Sequence, residues 1–349
     1  MQSLKPTTPQ NTLRIALSQA KANYPVYDEI LSAVTDSLEQ AGASVRPIIR
    51  IRDANPQLDD LVLIIGGTQF HAHAFEDLAA LRRNYGATLS VFFWHLEHLP
   101  ENDTRWPKFL AYLLKAQLDR FKNGGEYTNS RGGNYLSIRQ GLRQGYFNRV
   151  LTFTQRKAEF LNQHGLAAQY LPTGHHPIWG VDLKQPRDID VFFLGEVLDD
   201  RRSTIVKQVR AELGAARVKL ETMYDIAPAG LWGQQRNEVL NRTKIFLSVY
   251  RFAADANGLR LSLGMGNGAL VVSEPVFNPH PFVAGKHFVE TPVESLTNTI
   301  LAYLKDDAAR NRITSAASGL LSTEFNMFES AKQIVALGIA GRYVANTLS

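Results

Sequence analysis

The sequence contains no cysteine. Disulfides, thiolate metal sites and a cysteine nucleophile are therefore excluded together. Long apolar runs are missing too. LVLII (61–65) and VFFW (91–94) fall far short of the ~20 residues that a membrane span requires. No strand-like run is followed by GxGxxG and a helix, which argues against a nicotinamide-dependent dehydrogenase. There is no DxD carboxylate pair in a strand-end loop. Asp59-Asp60 and Asp199-Asp200 are adjacent pairs at segment starts. The first residues, MQSLKPTTPQNT, are polar and carry no apolar core of a signal peptide, so the expectation is a soluble, cytoplasmic protein.

What is present is ordinary globular material, 44% hydrophobic and 20% charged, enough for sizeable cores. The 349 residues suit two domains. The net charge of +5 is a mild basic excess. It fits a solvated surface with anion-binding clefts, and equally a polyanionic acceptor or a membrane surface.

Short apolar runs alternate with amphipathic segments along the first half. LRIAL (13–17), SVRPIIRI (44–51), LVLII (61–65), TLSVFFW (88–94), VLTFT (150–154) and AAQYLP (167–172) read as strands. Helices are expected from about Tyr27 to Gln40, near 74–84, and after the fifth strand. The Gly- and Asn-rich stretch NGGEYTNSRGGNY (123–135) reads as an exposed loop or lid. The second half repeats the grammar with DVFFLG (190–195), RVKLET (217–222), KIFLSV (244–249) and ALVVSE (269–274), helices between them and three more helical segments after Val293. Such alternation argues for parallel sheets covered on both faces.

The fold class is thus α/β, with two doubly wound, Rossmann-like domains expected to face a central cleft. Residues 1–172 form the expected N-terminal domain, 173–188 the connector, 189–322 the C-terminal domain, and 323–349 a closing helix that returns toward the first domain. His175 and His176 in the connector read as hinge-surface residues. In open α/β sheets ligands bind outside the carboxyl ends of the strands, so the chemistry is sought there.

The most informative stretch is NGLRLSLGMGNGALVVSEP (257–275). A helix opens at Asn257-Gly258, and its free N–H groups favour an anion such as a diphosphate. Arg260 in its first turn adds a fixed positive charge. The helix ends at Gly266–Gly268, so GMGNG serves close helix–strand packing and is not a phosphate-cradling loop. Glu274, after the buried strand, is placed to accept hydrogen bonds from sugar or ribose hydroxyls. Arg201 and Arg202 open a helix, where the dipole disfavours cations, so either a bound anion balances them or they are an ordinary surface pair.

These features, in this order, resemble the CgeB-like branch of the group 1-type GT-B glycosyltransferases. The likeness runs through DVFFLGEVLDDRRSTIV (190–206), NRTKIFLSVYRF (241–252), the stretch above, and HPFVAGKHFVETPVESLTNTILAYLKDDAARNRI (280–313). FWHLEHLP (93–100) and FTQRKAEFLNQHGLAAQYLPTGHHP (153–177) resemble the family less specifically. The resemblance implies the GT-B fold, with 1–172 as its acceptor-binding domain and 189–322 as its nucleotide-sugar-binding domain, and a nucleotide-sugar donor as co-substrate, with no cofactor and no metal. It places Gly195 and Arg201 or Arg202 against the donor phosphates, Tyr250 and Asn257 at the cleft edge, Arg260 near the diphosphate and Glu274 near the donor. The chain departs from many retaining GT-B enzymes in one place. Where those carry a glutamate inside the helix, it runs Leu261-Ser262-Leu263-Gly264.

The acceptor half offers His71 and His73 after the third strand, and His95, Glu97 and His98 after the fourth. The imidazoles suit proton transfer near neutral pH. Glu97 or His95 is the expected base, His71 the second choice. The acceptor is a hydroxyl-bearing glycan, lipid-linked sugar, polymer or modified nucleic acid. Two rivals stay open: a nucleotide-binding protein without transferase activity, and a degenerate GT-B scaffold.

Overall fold

The computed structural model describes residues 12–19, 25–100, 105–197, 200–251 and 258–347. The chain divides into two compact units. Unit 1 comprises Met1–Pro172 and Ser330–Ser349; unit 2 comprises Thr173–Glu329.

Unit 1 is built in the order β1 (Arg14–Ser18), α1 (Pro25–Gln40), β2 (Ser44–Ile48), β3 (Leu61–Ile65), α2 (Ala74–Tyr85), β4 (Ser90–His95), α3 (Trp106–Lys122), α4 (Arg131–Arg143), β5 (Arg149–Thr152), α5 (Gln155–Gln163) and β6 (Gln169–Tyr170). Its sheet is parallel throughout, in the order β2-β1-β3-β4-β5-β6. The sequence steps outward from β1 to β2, then crosses to the other side for β3. The strand order therefore reverses between β1 and β3. Every residue of β3 is buried, as a strand covered on both faces must be. Burying each such Leu or Ile side chain contributes about 1.5–3 kcal/mol. In α1 the buried Tyr27, Ile30, Leu31, Val34 and Leu38 recur at helical spacing, and Gly42 in a left-handed conformation ends the segment. The indole of Trp94 donates to Leu171 O at 3.0 Å and ties β4 to the end of β6.

The stretch between β4 and β5 differs from expectation. Residues 106–122 are a helix, and the loop expected over 123–135 ends at Ser130, which caps α4 by accepting from Gly133 N. Gly132 and Gly133 are buried in the first turn of α4. A Cβ on Gly132 would lie 2.2 Å from Tyr112 O, so this glycine serves close approach of α3 and α4.

Unit 2 runs β7 (Ile189–Phe193), α6 (Asp200–Ala215), β8 (Leu220–Thr222), α7 (Met223–Ile226), α8 (Gly233–Asn241), β9 (Thr243–Ser248), α9 (Gly258–Gly266), β10 (Leu270–Ser273), β11 (Val289–Glu290), α10 (Leu296–Leu304) and α11 (Asp307–Thr323). Its parallel sheet has the order β11-β10-β9-β7-β8, so the order reverses between β7 and β9. Alternate residues feed two cores. Val191, Ile245, Leu247 and Val272 enter one; Phe192, Phe246 and Val271 enter the other. Gly264 brings α9 onto the sheet, since a Cβ there would sit 2.7 Å from Phe246 and 2.8 Å from Val271. The helix α12 (Met327–Thr347) closes the chain. Within unit 1, Ser330 Oγ donates to Pro172 O at 2.7 Å, and Gly338 packs against Leu13.

His175 corrects the expectation of a hinge-surface residue. It lies in unit 2, its Nε2 donates to Gly180 O at 3.0 Å, and Gly266 packs on its ring. Burial pushes its pKa down to about 4.

Candidate active site

In unit 2 the chemistry gathers where the strand order reverses, outside the carboxyl ends of β7 and β9. This is the place where open α/β sheets form their ligand crevice. After β7 the backbone turns at Gly195 with φ +146°, a conformation that side chains rarely adopt. A Cβ there would stand 3.4 Å from Arg202 Nη1 and 3.5 Å from Arg260 Nη1. The glycine thus leaves a backbone surface flanked by two guanidinium groups.

Arg260 enters from the first turn of α9. Its Nη1 donates to Leu194 O at 2.7 Å, and longer contacts reach Ser248 Oγ (3.3 Å) and Leu247 O (3.4 Å). All three acceptors are neutral. The guanidinium lies 5.1 Å from the Phe193 ring centroid and 5.3 Å from that of Phe246, within cation–π range. Burial, reinforced by the like charge of Arg202, lowers its pKa to about 10, which still leaves it charged at neutral pH. Arg202 lies 5.9 Å from the centroid of the Phe193 ring. The Glu274 carboxylate acts on Arg260 in the opposite direction, raising its pKa.

Arg201 is already balanced. Its Nη1 donates to Glu274 Oε1 (3.1 Å) and Tyr250 O (2.8 Å), and its Nη2 donates to Glu274 Oε2. Glu274 is only 2% exposed and also accepts Tyr250 N–H at 2.7 Å. The anion that the helix-start arginines called for is, at Arg201, this internal carboxylate, and the oxygens expected to meet sugar hydroxyls are engaged by protein donors. Tyr250 is buried and joins the network through its main chain. Gly258 opens α9 beneath Phe325, whose Cζ would lie 2.6 Å from an added Cβ. Asn257 lies outside the described residues.

In unit 1 a second polar cluster stands at the carboxyl ends of β1, β3 and β4. His71 is buried; its Nε2 donates to Ile65 O at 2.9 Å, so Nδ1 is the acceptor for the Ser18 hydroxyl, also at 2.9 Å. Glu97 accepts from the Tyr27 hydroxyl and from Asn129 Nδ2 at 3.0 Å. Burial, then the Glu97 charge, push the Tyr27 phenol far up, so it acts as a donor. Tyr27 is seated by Phe70, with centroids 4.6 Å apart, and by Gly66, which has no side chain to displace it. His95 is fully enclosed, and burial lowers its pKa to about 3, with Lys157 adding to the effect. Both of its ring nitrogens lack a hydrogen-bond partner.

Beside His71 lies a cavity of ≈180 Å³ lined by Thr68, Gln69, His73, Glu76, Glu126 and Tyr127 among others. The buried amide oxygen and nitrogen of Gln69 have no partner. Among the described residues no three His, Asp or Glu side chains gather as a metal site. His73 pairs with Glu76 at 3.2 Å, apart from the commitments of His71 and His95.

The structure therefore brings Gly195, Arg201, Arg202, Tyr250, Arg260 and Glu274 together in unit 2, and links Glu97 to the His71 loop through Tyr27 in unit 1. Sequence reasoning missed Phe193 and Phe246, which read as core strand residues, and Tyr27, Ser18 and Asn129. Ser18 ends the first strand, the one signal that pointed toward it.

Residues 201–336 match a family model described as glycosyl transferase-like. The sequence matches no curated protein. Among solved structures, an alpha-glucosyltransferase in complex with UDP and a 13-mer DNA containing a HMU base is 9% identical, with a TM-score of 0.60 over 94% of this chain and 100% of its own. Anabaena HepE in complex with UDP and glucose is 12% identical, with a TM-score of 0.58 over 94% and 99%. TarM, the S. aureus protein, is 13% identical, with a TM-score of 0.58 over 82% of this chain; the matched region is 57% of TarM. At these identities the likeness is one of fold: the chain has the α/β architecture of the GT-B glycosyltransferases.

Proposed function

We propose that this chain is a GT-B glycosyltransferase that takes a sugar from a nucleoside diphosphate donor, uridine diphosphate first among them, and passes it to a hydroxyl acceptor without a metal ion. The observation that carries the reading is the meeting of Arg202 and Arg260 at the bare backbone of Gly195, where the strand order of the sheet reverses. The glycosyl transferase-like match over 201–336 and the UDP named in the neighbours' titles support it. The likeness of residues 190–313 to the CgeB-like branch is the finer affiliation we favour.

In the transfer the glycosidic bond to the diphosphate breaks and negative charge grows on the leaving oxygen. Donors fixed in advance stabilise that charge more than mobile water does. Arg202, Arg260 and the N-terminal end of α9 are such donors. On the acceptor side Glu97 is the base: Tyr27 and Asn129 orient its carboxylate, and its half-exposed position lets a hydroxyl approach. His71 holds the loop after β3 through Ser18 and Ile65, and His95 is enclosed.

The test is donor turnover. Release of UDP from UDP-glucose and UDP-N-acetylglucosamine, in the presence of EDTA, is expected for the wild type and lost with Arg260→Met. Binding of UDP with no turnover on any hydroxyl acceptor would favour a nucleotide-binding scaffold instead, consistent with the missing carboxylate in α9.

A further inference from the structure

Helix α3 carries an apolar face that its own unit does not use. Phe109 and Ala116 are its buried residues, and they face α4. On another side, Trp106 is 68% exposed, Leu110 42%, Leu114 59%, Leu118 62% and Phe121 88%. At about 100° per residue these five fall within one arc of roughly 120°, turned well away from the buried pair. Five large apolar side chains in one exposed stripe are more than scattered surface hydrophobics. Cations predominate on the rest of the helix. Lys108, Lys115 and Lys122 are spaced seven apart and line one border of the stripe, and Asp119, the helix's one acidic residue, pairs with Lys115 at 2.8 Å.

We infer that α3 docks this protein on an anionic lipid surface, lying in the plane of the interface. The chemistry matches on both sides of the helix border. An apolar arc enters the acyl boundary while a lysine row meets lipid phosphates, the pattern of interfacial helices. Trp106 sits at one end of the stripe, where its amphipathic ring suits headgroup depth. No described helix is long and apolar enough to cross a membrane, so the contact is superficial. A protein partner would need an acidic rim beside an apolar groove, and a second copy of α3 brings the same cationic row. The glycine contact between Gly132 and Tyr112 holds the helix rigidly on α4, so the stripe is presented as a fixed face. The inference is independent of the donor-site reading, because it uses none of the residues of unit 2.

The experiment is co-sedimentation of the full chain with vesicles of phosphatidylcholine alone or with phosphatidylglycerol added, at low and high salt. Binding is expected at least about tenfold tighter to the anionic vesicles, weakening with salt. Leu114→Glu/Leu118→Glu is expected to lower it at least about tenfold, since charge replaces buried apolar area. Lys108→Glu/Lys115→Glu/Lys122→Glu is expected to abolish the preference for anionic lipid. All five substituted positions are exposed, and circular dichroism and thermal melting of each variant check that the fold persists. Equal wild-type behaviour on both vesicle types, or unchanged binding by the leucine variant, overturns the inference. So does a dimer in gel filtration that the leucine variant dissolves without any vesicle binding, which would assign the stripe to self-association.

Discussion

Replacing Glu274 by Gln separates a structural ion pair from a ligand-binding carboxylate. The carboxylate is almost fully buried and accepts two N–H groups from Arg201 and one from Tyr250. Breaking a buried ion pair costs about 3–5 kcal/mol. Arg201 is one-third exposed, so water recovers part of its solvation, and about 2–3 kcal/mol is the sounder figure. Glutamine keeps an acceptor for Tyr250 N–H but turns an amide toward the guanidinium, which retains most of that loss. For a unit of this size each kcal/mol moves Tm by roughly 2–4 °C, so a fall of roughly 5–10 °C is expected in the unit 2 transition. Differential scanning calorimetry should show that transition moving while the unit 1 transition stays in place. Arg201→Met should cost a similar amount, and the double variant less than the sum, because the partners are coupled. An unchanged Tm together with loss of UDP binding would refute the reasoning, since the carboxylate would then be held for the ligand.

Three further outcomes follow from the geometry. His95 has a pKa lowered from 6.5 to about 3, so below pH 6.5 the unfolded chain binds a proton that the folded one refuses. Its contribution is complete above about pH 6.5 and is lost as pH falls toward 3, on the order of 5 kcal/mol in all; His95→Phe should flatten this acid limb when Tm is followed against pH. Glu97→Gln should lower kcat by about 10²–10⁴-fold with UDP affinity unchanged, and an equal loss of UDP affinity would contradict the assignment. Gly132→Val should destabilise unit 1 by about 1–3 kcal/mol in a denaturant titration, because a side chain there meets the Tyr112 carbonyl.

The sheets were readable because their central strands are covered on both faces. LVLII, KIFLSV and ALVVSE are apolar runs too short to be anything but buried strands, and β3, β9 and β10 lie on them. Helix α3 was not readable for the opposite reason. Its apolar residues point both inward and outward, which blurs the single stripe that marks an amphipathic helix. Gly132-Gly133 then looked like a loop, because a glycine that permits helix contact has the same letter as one that permits a turn. In the site, Arg260 is legible from its place in the first turn of a helix, and Gly195 only through the family resemblance. The pairing of Arg201 with Glu274 could not, since the two are 73 residues apart and only folding places them together. The dipole argument asked for an anion at the start of α6, and the fold supplies one from within. The GMGNG glycines were read as packing residues, and Gly264 and Gly266 do pack on Phe246, Val271 and His175.

The central claim is that the cradle of Gly195, Arg202 and Arg260 receives a nucleoside diphosphate. Its most direct test is calorimetric titration of UDP, in EDTA, into the wild type and into Arg260→Met. The account predicts one site per chain in the wild type and a loss of about 10–150-fold in affinity in the variant, the worth of a charge-assisted hydrogen bond of about 1.5–3 kcal/mol. Binding of equal strength in both proteins, or no binding of UDP, GDP, dTDP, CDP or ADP to the wild type, would contradict it.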